Sequence, residues 1–328
     1  MKKVLVIGAG AWGTALAQLL SKNCEEVLLS ANKPEIVAEI NKKNCNEKFL
    51  PGIKLSKKIT AILNFDKEIS AADFVFIVTP SSAISSIFAQ IANNKFKKSC
   101  RFVICSKGIE TNSLQLLGDL FEKVTTSKNY AILSGPNFAS EVAQGLPSIT
   151  TLACKDKKLF NDIAKILNNE SFCAQHSREP RSIEIFGTTK NIIAIGCGII
   201  DELGLGVNAK AALVMKGISE TQLLCKKFKT SSDVANAAGF GDIFLTCSSH
   251  KSRNNWLGTE LAKGKPFKEI ATKSGKTFEG AASAKAIAAI AKKLKLRLEL
   301  FEAINEILSK KFDKKQIQTK ITKAILTR

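Results

Sequence analysis

Residue types able to do chemistry are concentrated in a few short segments of this chain. The first is Gly8-Ala9-Gly10-Ala11-Trp12-Gly13, which follows directly on the apolar run Val4 to Ile7 and opens an apolar, helix-compatible stretch. This is G-x-G-x-x-G in the context it needs. Gly8 permits a tight turn, Gly10 lets the backbone approach a pyrophosphate, and Gly13 lets helix and strand pack closely, while the helix start at Ala11 and Trp12 offers free N–H groups to the anion. A dinucleotide is the implied ligand. An NAD-selective site normally ends its second strand on an acidic residue that holds the ribose 2′-hydroxyl. Here Ser30-Ala31-Asn32-Lys33 contains no carboxylate. Asn32 and Lys33 suit a 2′-phosphate, so NADP is expected to be accepted at least as well as NAD; the alternative is that the two residues form only a polar turn.

Three further segments carry charge where a ligand can use it. Lys107 follows a strand-like run ending at Cys105, which places it at the carboxyl edge of a sheet, where doubly wound folds bind ligands. Taken alone it reads better as a solvated loop lysine. Lys190 is followed by the nearly all-apolar stretch Ile192 to Ile200; a lysine in such surroundings is partly desolvated, which lowers its pKa and suits it to proton transfer. Ser252-Arg253-Asn254 precedes the helix-like run Trp256 to Lys263. A guanidinium with hydroxyl and amide donors at a helix start makes a phosphate cradle.

Other chemistry is poorly supplied. The nine cysteines show no Cys-x-x-Cys pair, and only two histidines, His176 and His250, are available to complete a ligand set. No metal site is expected, and the cysteines read as reduced, mostly buried small hydrophobes. The formal charge of +20 is nearly all lysine, scattered in twos without interleaved aromatics, so it reads as a solvated surface that favours small anions, with no nucleic-acid partner. No apolar run approaches a membrane span and the start carries no signal-peptide pattern. Membrane insertion is not expected, and the cytoplasm is the expected location.

Positioning these residues requires two domains. Strand-like runs at Lys3 to Ile7, Glu26 to Leu29, Thr60 to Leu63, Phe74 to Val78, Arg101 to Cys105, Tyr130 to Leu133 and Ser148 to Cys154 alternate with helical patterns such as Ala11 to Ser21 and Pro34 to Lys42. That alternation predicts an α/β, Rossmann-like, doubly wound and mainly parallel sheet. Beyond about Arg181 the text turns to long helical stretches: Ile183 to Leu203, Asn208 to Phe228, Glu279 to Lys293 and Leu296 to Lys310. An all-α second domain follows. The expected division is residues 1–181 for the NAD(P)-binding domain and 182–328 for the helical substrate and catalytic domain.

In order and spacing, the glycine loop, Ser106-Lys107-Gly108-Ile109-Glu110, Ser134-Gly135-Pro136-Asn137-Phe138-Ala139-Ser140-Glu141, Lys190-Asn191-Ile192-Ile193 with Asn208-Ala209-Lys210, and Gly239-Phe240-Gly241-Asp242 with Ser252-Arg253-Asn254 resemble the bacterial NAD(P)-dependent glycerol-3-phosphate dehydrogenases. The resemblance covers nearly the whole chain. It implies a C-terminal domain like that of 6-phosphogluconate dehydrogenase and a reversible reduction of dihydroxyacetone phosphate to sn-glycerol 3-phosphate serving glycerophospholipid synthesis. It also implies Lys190 as the general acid/base, Lys107 as a catalytic and binding cation, and Asp242 as the carboxylate that orients the ammonium. Asp242 also suits a helix N-cap. By the same resemblance Gly135, Asn137, Ser252, Arg253 and Asn254 contact substrate, while Lys107, Ala139, Arg253, Thr277 and Glu279 lie near NADP or NAD. Asn137 stands where a small hydroxyl residue is usual, Thr277 where a small apolar one is, and Ser30 and Asn32 replace an aromatic and basic pair. A homodimer is the expected assembly. Two rivals stand beside this reading: a related NAD(P)-dependent hydroxy-acid, hydroxyacyl or ketopantoate dehydrogenase, and a cofactor-sensing or nucleic-acid-binding protein without catalysis.

Overall fold

The structure, a computed structural model, describes residues 2–249, 251–275 and 277–327. The chain divides into two compact units, Met1–Ser106 with Leu117–Pro180, and Lys107–Leu116 with Arg181–Arg328.

The first unit is built on strands β1 (Val4–Ile7), β2 (Val27–Ser30), β3 (Ile59–Ile62), β4 (Phe74–Ile77), β5 (Arg101–Ile104), β6 (Tyr130–Ser134), β7 (Ser148–Ala153) and β8 (Phe172–Ser177). Their order is β3-β2-β1-β4-β5-β6-β7-β8. The first six run parallel, β7 is antiparallel to β6, and β8 is parallel to β7. The helices are α1 (Ala11–Leu20), α2 (Pro34–Lys43), α3 (Ile84–Asn93), α4 (Leu117–Thr125), α5 (Ala139–Gln144) and α6 (Lys157–Leu167). Strand text such as Val4-Leu5-Val6-Ile7 and Phe74-Val75-Phe76-Ile77 is apolar at every position because both faces of a parallel sheet are covered. The doubly wound sheet is as expected. Strand β8 is an addition: it alternates buried Phe172 and Ala174 with exposed residues, and two apolar anchors in polar text gave the sequence little to show.

The second unit consists of α7 (Pro180–Leu203), α8 (Val207–Lys227), a π-turn at Ala237–Gly241, α9 (Asp242–Ser248), α10 (Arg253–Ala262), α11 (Phe267–Ser274), α12 (Glu279–Leu294), α13 (Glu299–Ser309) and α14 (Lys314–Leu326). Helix α7 is long and apolar enough to cross a membrane by composition, yet its apolar window is wholly buried in the core of this unit. A helix apolar all round is what a central core element requires. It begins before the expected Ile183, so Lys190 lies in its middle and not near its start. The segment Lys107–Leu116 belongs here through Ile109 and Leu116, which are bridged to one another and buried in the same core. Seven cysteines are buried, Cys45 is half-buried, Cys173 is exposed, and none of the nine is in a disulfide among the described residues.

Candidate active site

In the first unit the glycine loop has the geometry its spacing implies. Gly8 has φ +114°, and a Cβ there would stand 2.6 Å from the Val78 carbonyl oxygen; a Cβ on Gly13 would stand 1.8 Å from the Gly8 oxygen. Only glycine fits either position. Among the described residues, chain neighbours aside, nothing lies within 4 Å of the corresponding point on Gly10, which is the room a phosphate needs. Gly10 is the N-cap of α1 and supplies no side-chain cap, so the backbone amides of the first turn, at Ala11, Trp12 and Gly13, are left for an anion. Three buried side-chain atoms following or ending parallel strands also have no hydrogen-bond partner among the described residues: Thr79 Oγ1, Ser134 Oγ and Asn137 Oδ1. Buried polar atoms normally find partners, and these belong to the carboxyl ends of β4 and β6, the edge where such sheets receive ligands. These residues fit a nicotinamide dinucleotide.

The other candidates of this unit lie close to those atoms. Gly135 packs against Thr150, its missing Cβ 2.8 Å from the Thr150 Cα. Asn137 donates from Nδ2 to the Ile149 carbonyl at 2.9 Å, and Ala139 opens α5. After β2, Asn32 is exposed and Lys33 is the half-buried N-cap of α2.

The second unit brings Lys107, Lys190 and Asp242 together. Asp242 is 2% exposed and opens α9 directly after the π-turn. Its Oδ1 accepts from Lys190 Nζ at 2.5 Å and its Oδ2 from Lys107 Nζ at 2.8 Å. Lys107 is carried to this point by the segment that Ile109 and Leu116 anchor. Lys190 also donates to Thr246 Oγ1 at 3.1 Å, and that hydroxyl donates to the Asp242 carbonyl at 2.6 Å. Thr246 was not among the expected residues; it sits one turn beyond Asp242 on α9, a helix too short to be read from sequence.

One carboxylate thus serves two ammonium groups, and the charges sort themselves accordingly. Burial, together with repulsion from Lys107, lowers the Lys190 pKa to about 8, although Asp242 opposes the shift. Burial also works against the Lys107 ammonium, but the charge and hydrogen bond of Asp242 outweigh it and raise its pKa. Burial would push the Asp242 carboxyl up; Lys107 and Lys190 hold it below the usual carboxylate range instead. Asp242 and Lys107 are therefore fixed charges, and Lys190 is the group able to gain and lose a proton near neutrality.

Around this cluster the unit assembles a second set of groups. Asn254 is buried, and its Oδ1 accepts from the Gly280 backbone at 3.2 Å. A Cβ on Gly280 would meet that same Oδ1 at 2.7 Å and the Asn191 carbonyl at 2.9 Å. The starts of α10 and α12 are thereby brought to the residue after Lys190. Glu279, the first residue of α12, is close enough to contribute to the raised pKa of Lys107, while Thr277 is exposed. Ser252 and Asn254, expected as phosphate donors, each commit an oxygen to framework. Ser252 Oγ caps α10 by accepting from Asn255 N at 3.2 Å. Arg253 is exposed at the first position of α10, the one member of the triplet with no internal hydrogen bond or ion pair among the described residues.

Two family profiles cover this chain, described as the NAD-dependent glycerol-3-phosphate dehydrogenase N-terminus at residues 3–160 and C-terminus at residues 179–319. The chain belongs to the NAD-dependent glycerol-3-phosphate dehydrogenase family. Among its relatives, glycerol-3-phosphate dehydrogenase [NAD(P)+] of Caulobacter vibrioides is 38% identical over 94% of this chain and 93% of its own length. The enzyme of the same name from Erythrobacter litoralis is 35% identical over 94% and 92%. The crystal structure of glycerol-3-phosphate dehydrogenase from Coxiella burnetii superposes with a TM-score of 0.92 at 28% identity, covering 99% of both chains. D-Mandelate dehydrogenase and a ketopantoate reductase from Ralstonia eutropha share the fold at 17% and 16% identity, with TM-scores of 0.66 and 0.63. The resemblance read from five motifs thus extends, as family membership, over both units.

Proposed function

We propose that this protein is an NAD(P)-dependent sn-glycerol-3-phosphate dehydrogenase that interconverts dihydroxyacetone phosphate and sn-glycerol 3-phosphate. The observation that carries the reading is the Lys107–Asp242–Lys190 cluster, with Lys190 and Asp242 buried and Lys107 half-buried, in which Lys190 alone is tuned to about 8, in a chain of this family. The nicotinamide cofactor, when bound to the glycine turn, supplies or accepts the hydride. Protonated Lys190 gives its proton to the oxygen at substrate C2 during reduction and, when neutral, takes it back during oxidation. Asp242 holds the Lys190 ammonium in line, and Thr246 fixes the same nitrogen from a second direction. Lys107 keeps a permanent positive charge toward the developing alkoxide. Arg253, exposed and with no side-chain partner among the described residues, is the group to grip the substrate phosphate with its planar fork.

Several finer assignments belong to the same proposal. Asn32 and Lys33, with no carboxylate beside them, support acceptance of NADP as well as NAD. Gly135 and Asn137 line the substrate, and Ala139, Thr277 and Glu279 lie by the cofactor. Nine cysteines without a disulfide among the described residues suit a reducing compartment, in keeping with a cytoplasmic enzyme acting as a homodimer and feeding glycerophospholipid synthesis. The direct test is a spectrophotometric assay of the purified protein with dihydroxyacetone phosphate, run separately with NADH and NADPH. Cofactor oxidation that depends on dihydroxyacetone phosphate is expected with both. Turnover of 2-keto acids without turnover of the phosphate ester refutes the proposal.

A further inference from the structure

The loop between α2 and β3 carries a side chain that reaches the glycine turn from below. Asn46 is fully buried, at 0% exposure. Its Nδ2 donates to the Ala9 carbonyl at 3.0 Å and to Thr14 Oγ1 at 2.8 Å, and the Thr14 hydroxyl reaches back to the same Ala9 oxygen at 3.5 Å. The loop is built to deliver it. Asn44 closes α2 in the left-handed conformation; the backbone amides of Phe49 and Leu50 donate to the Asn46 carbonyl, and that of Leu55 donates to the Asn44 carbonyl. Leu50 and Leu55 pin the loop into the core of the first unit.

The orientation of the amide follows from chemistry. A carbonyl oxygen can only accept, so the Asn46 nitrogen must face Ala9. The Asn46 oxygen is left buried without a partner among the described residues, a cost the position bears to keep the nitrogen where it is. Ala9 C=O belongs to the peptide unit whose N–H is that of Gly10. In a planar trans peptide the two point in opposite directions, so holding the oxygen toward Asn46 aims the Gly10 N–H the other way. At Gly10 a Cβ would meet nothing within 4 Å among the described residues beyond its chain neighbours.

We infer that Asn46 is a positioning residue for the dinucleotide: it fixes the Ala9–Gly10 peptide plane so that the Gly10 amide faces the pyrophosphate. The inference rests on the dehydrogenase reading above and extends it to a loop outside the G-x-G-x-x-G motif. Asn46→Leu removes both donated bonds at similar volume, and Asn46→Asp places an acceptor against the Ala9 acceptor. Each is expected to raise the dissociation constants of NADH and NADPH, measured by quenching of tryptophan fluorescence, by about tenfold, the scale of losing a buried hydrogen-bonding pair. KM for the cofactor rises with them, whereas kcat at saturating cofactor and KM for dihydroxyacetone phosphate stay within about twofold, since neither reports ground-state cofactor binding. A merely structural role would lower Tm and leave the cofactor constants alone. Thr14→Val, which deletes the second bond and keeps the shape, is expected to weaken cofactor binding by about threefold, and it stands in if the Asn46 variants do not accumulate as folded protein. Unchanged cofactor constants in folded Asn46→Leu and Asn46→Asp, or in Thr14→Val where it alone folds, overturn the inference. If the unmutated protein binds neither NADH nor NADPH, the dehydrogenase reading itself has failed.

Discussion

Lys190 is where the site's electrostatics become measurable. With its pKa lowered to about 8, the protonated form that its proposed role in reduction requires is present below that value and lost above it, and the proposed role in oxidation requires the reverse. The kcat/KM for dihydroxyacetone phosphate should therefore fall as pH rises through about 8, and that for glycerol 3-phosphate should rise through the same point. Asp242 raises this pKa while burial and Lys107 lower it, so Asp242→Asn is expected to move both inflections to lower pH. Lys190→Ala should reduce kcat by about 10² to 10⁴, the usual worth of a positioned proton donor. Arg253→Ala should instead raise KM for dihydroxyacetone phosphate by about tenfold or more, the value of a charged hydrogen bond to phosphate; unchanged KM and kcat would remove that assignment. Lys107, Lys190 and Asp242 were legible because each stands in a short motif whose neighbours are themselves unusual. Thr246 and Asn46 were not: one is an ordinary threonine in a short helix, the other one of several asparagines in polar loop text, and only the fold reveals what each touches.

At the scale of elements, the helical unit contains a cap supplied from another helix. The N-cap of α13, Leu298, has no side chain able to cap, and the Leu300 and Phe301 amides are taken by Glu220 of α8 at 2.8 and 3.1 Å. Burial raises the Glu220 pKa to about 7 despite those two bonds and the nearby Lys216. The sign follows: a carboxyl whose folded pKa lies above its unfolded value binds an extra proton in the native state, so its contribution is complete at low pH and is lost as pH rises from about 4.5 to about 7. Over that window the span corresponds to about 3 kcal/mol as an order of magnitude. Measured as Tm against pH, the parent is expected to lose stability relative to Glu220→Gln between those values. A difference that does not vary with pH would show that the carboxyl titrates normally. The long elements were readable from periodicity, and their ends shifted by a residue or a few, as with α7, which starts at Pro180. What escaped were pieces held mainly by tertiary contact: edge strand β8, with two apolar anchors, and the lysine-rich α14, whose buried residues are Ile317, Ile321 and Ala324.

For the whole molecule, the formal charge of +20 sets a field that draws anions, and that field is screened by salt. Raising ionic strength from about 0.05 to about 0.5 M shortens the screening length severalfold and should raise KM for dihydroxyacetone phosphate more than it changes kcat. A salt-independent KM would leave only contact interactions to account for substrate capture. Strand text gives way to helical text near Pro180, where one of the unit limits falls; the excursion of Lys107–Leu116 into the second unit left no such trace, because ten residues are too few to carry a periodicity. That excursion constrains the order in which the protein can mature on the ribosome. Ile109 and Leu116 emerge early, with the sheet, yet the core they enter is made from residues beyond Arg181. Synthesis must therefore run to the later helices before these two side chains can be sheltered, and the lysine they carry reaches its carboxylate only then. A nascent chain halted at the sheet would hold an exposed oily hook and no lysine–carboxylate pair, which waits for the last third of the polypeptide.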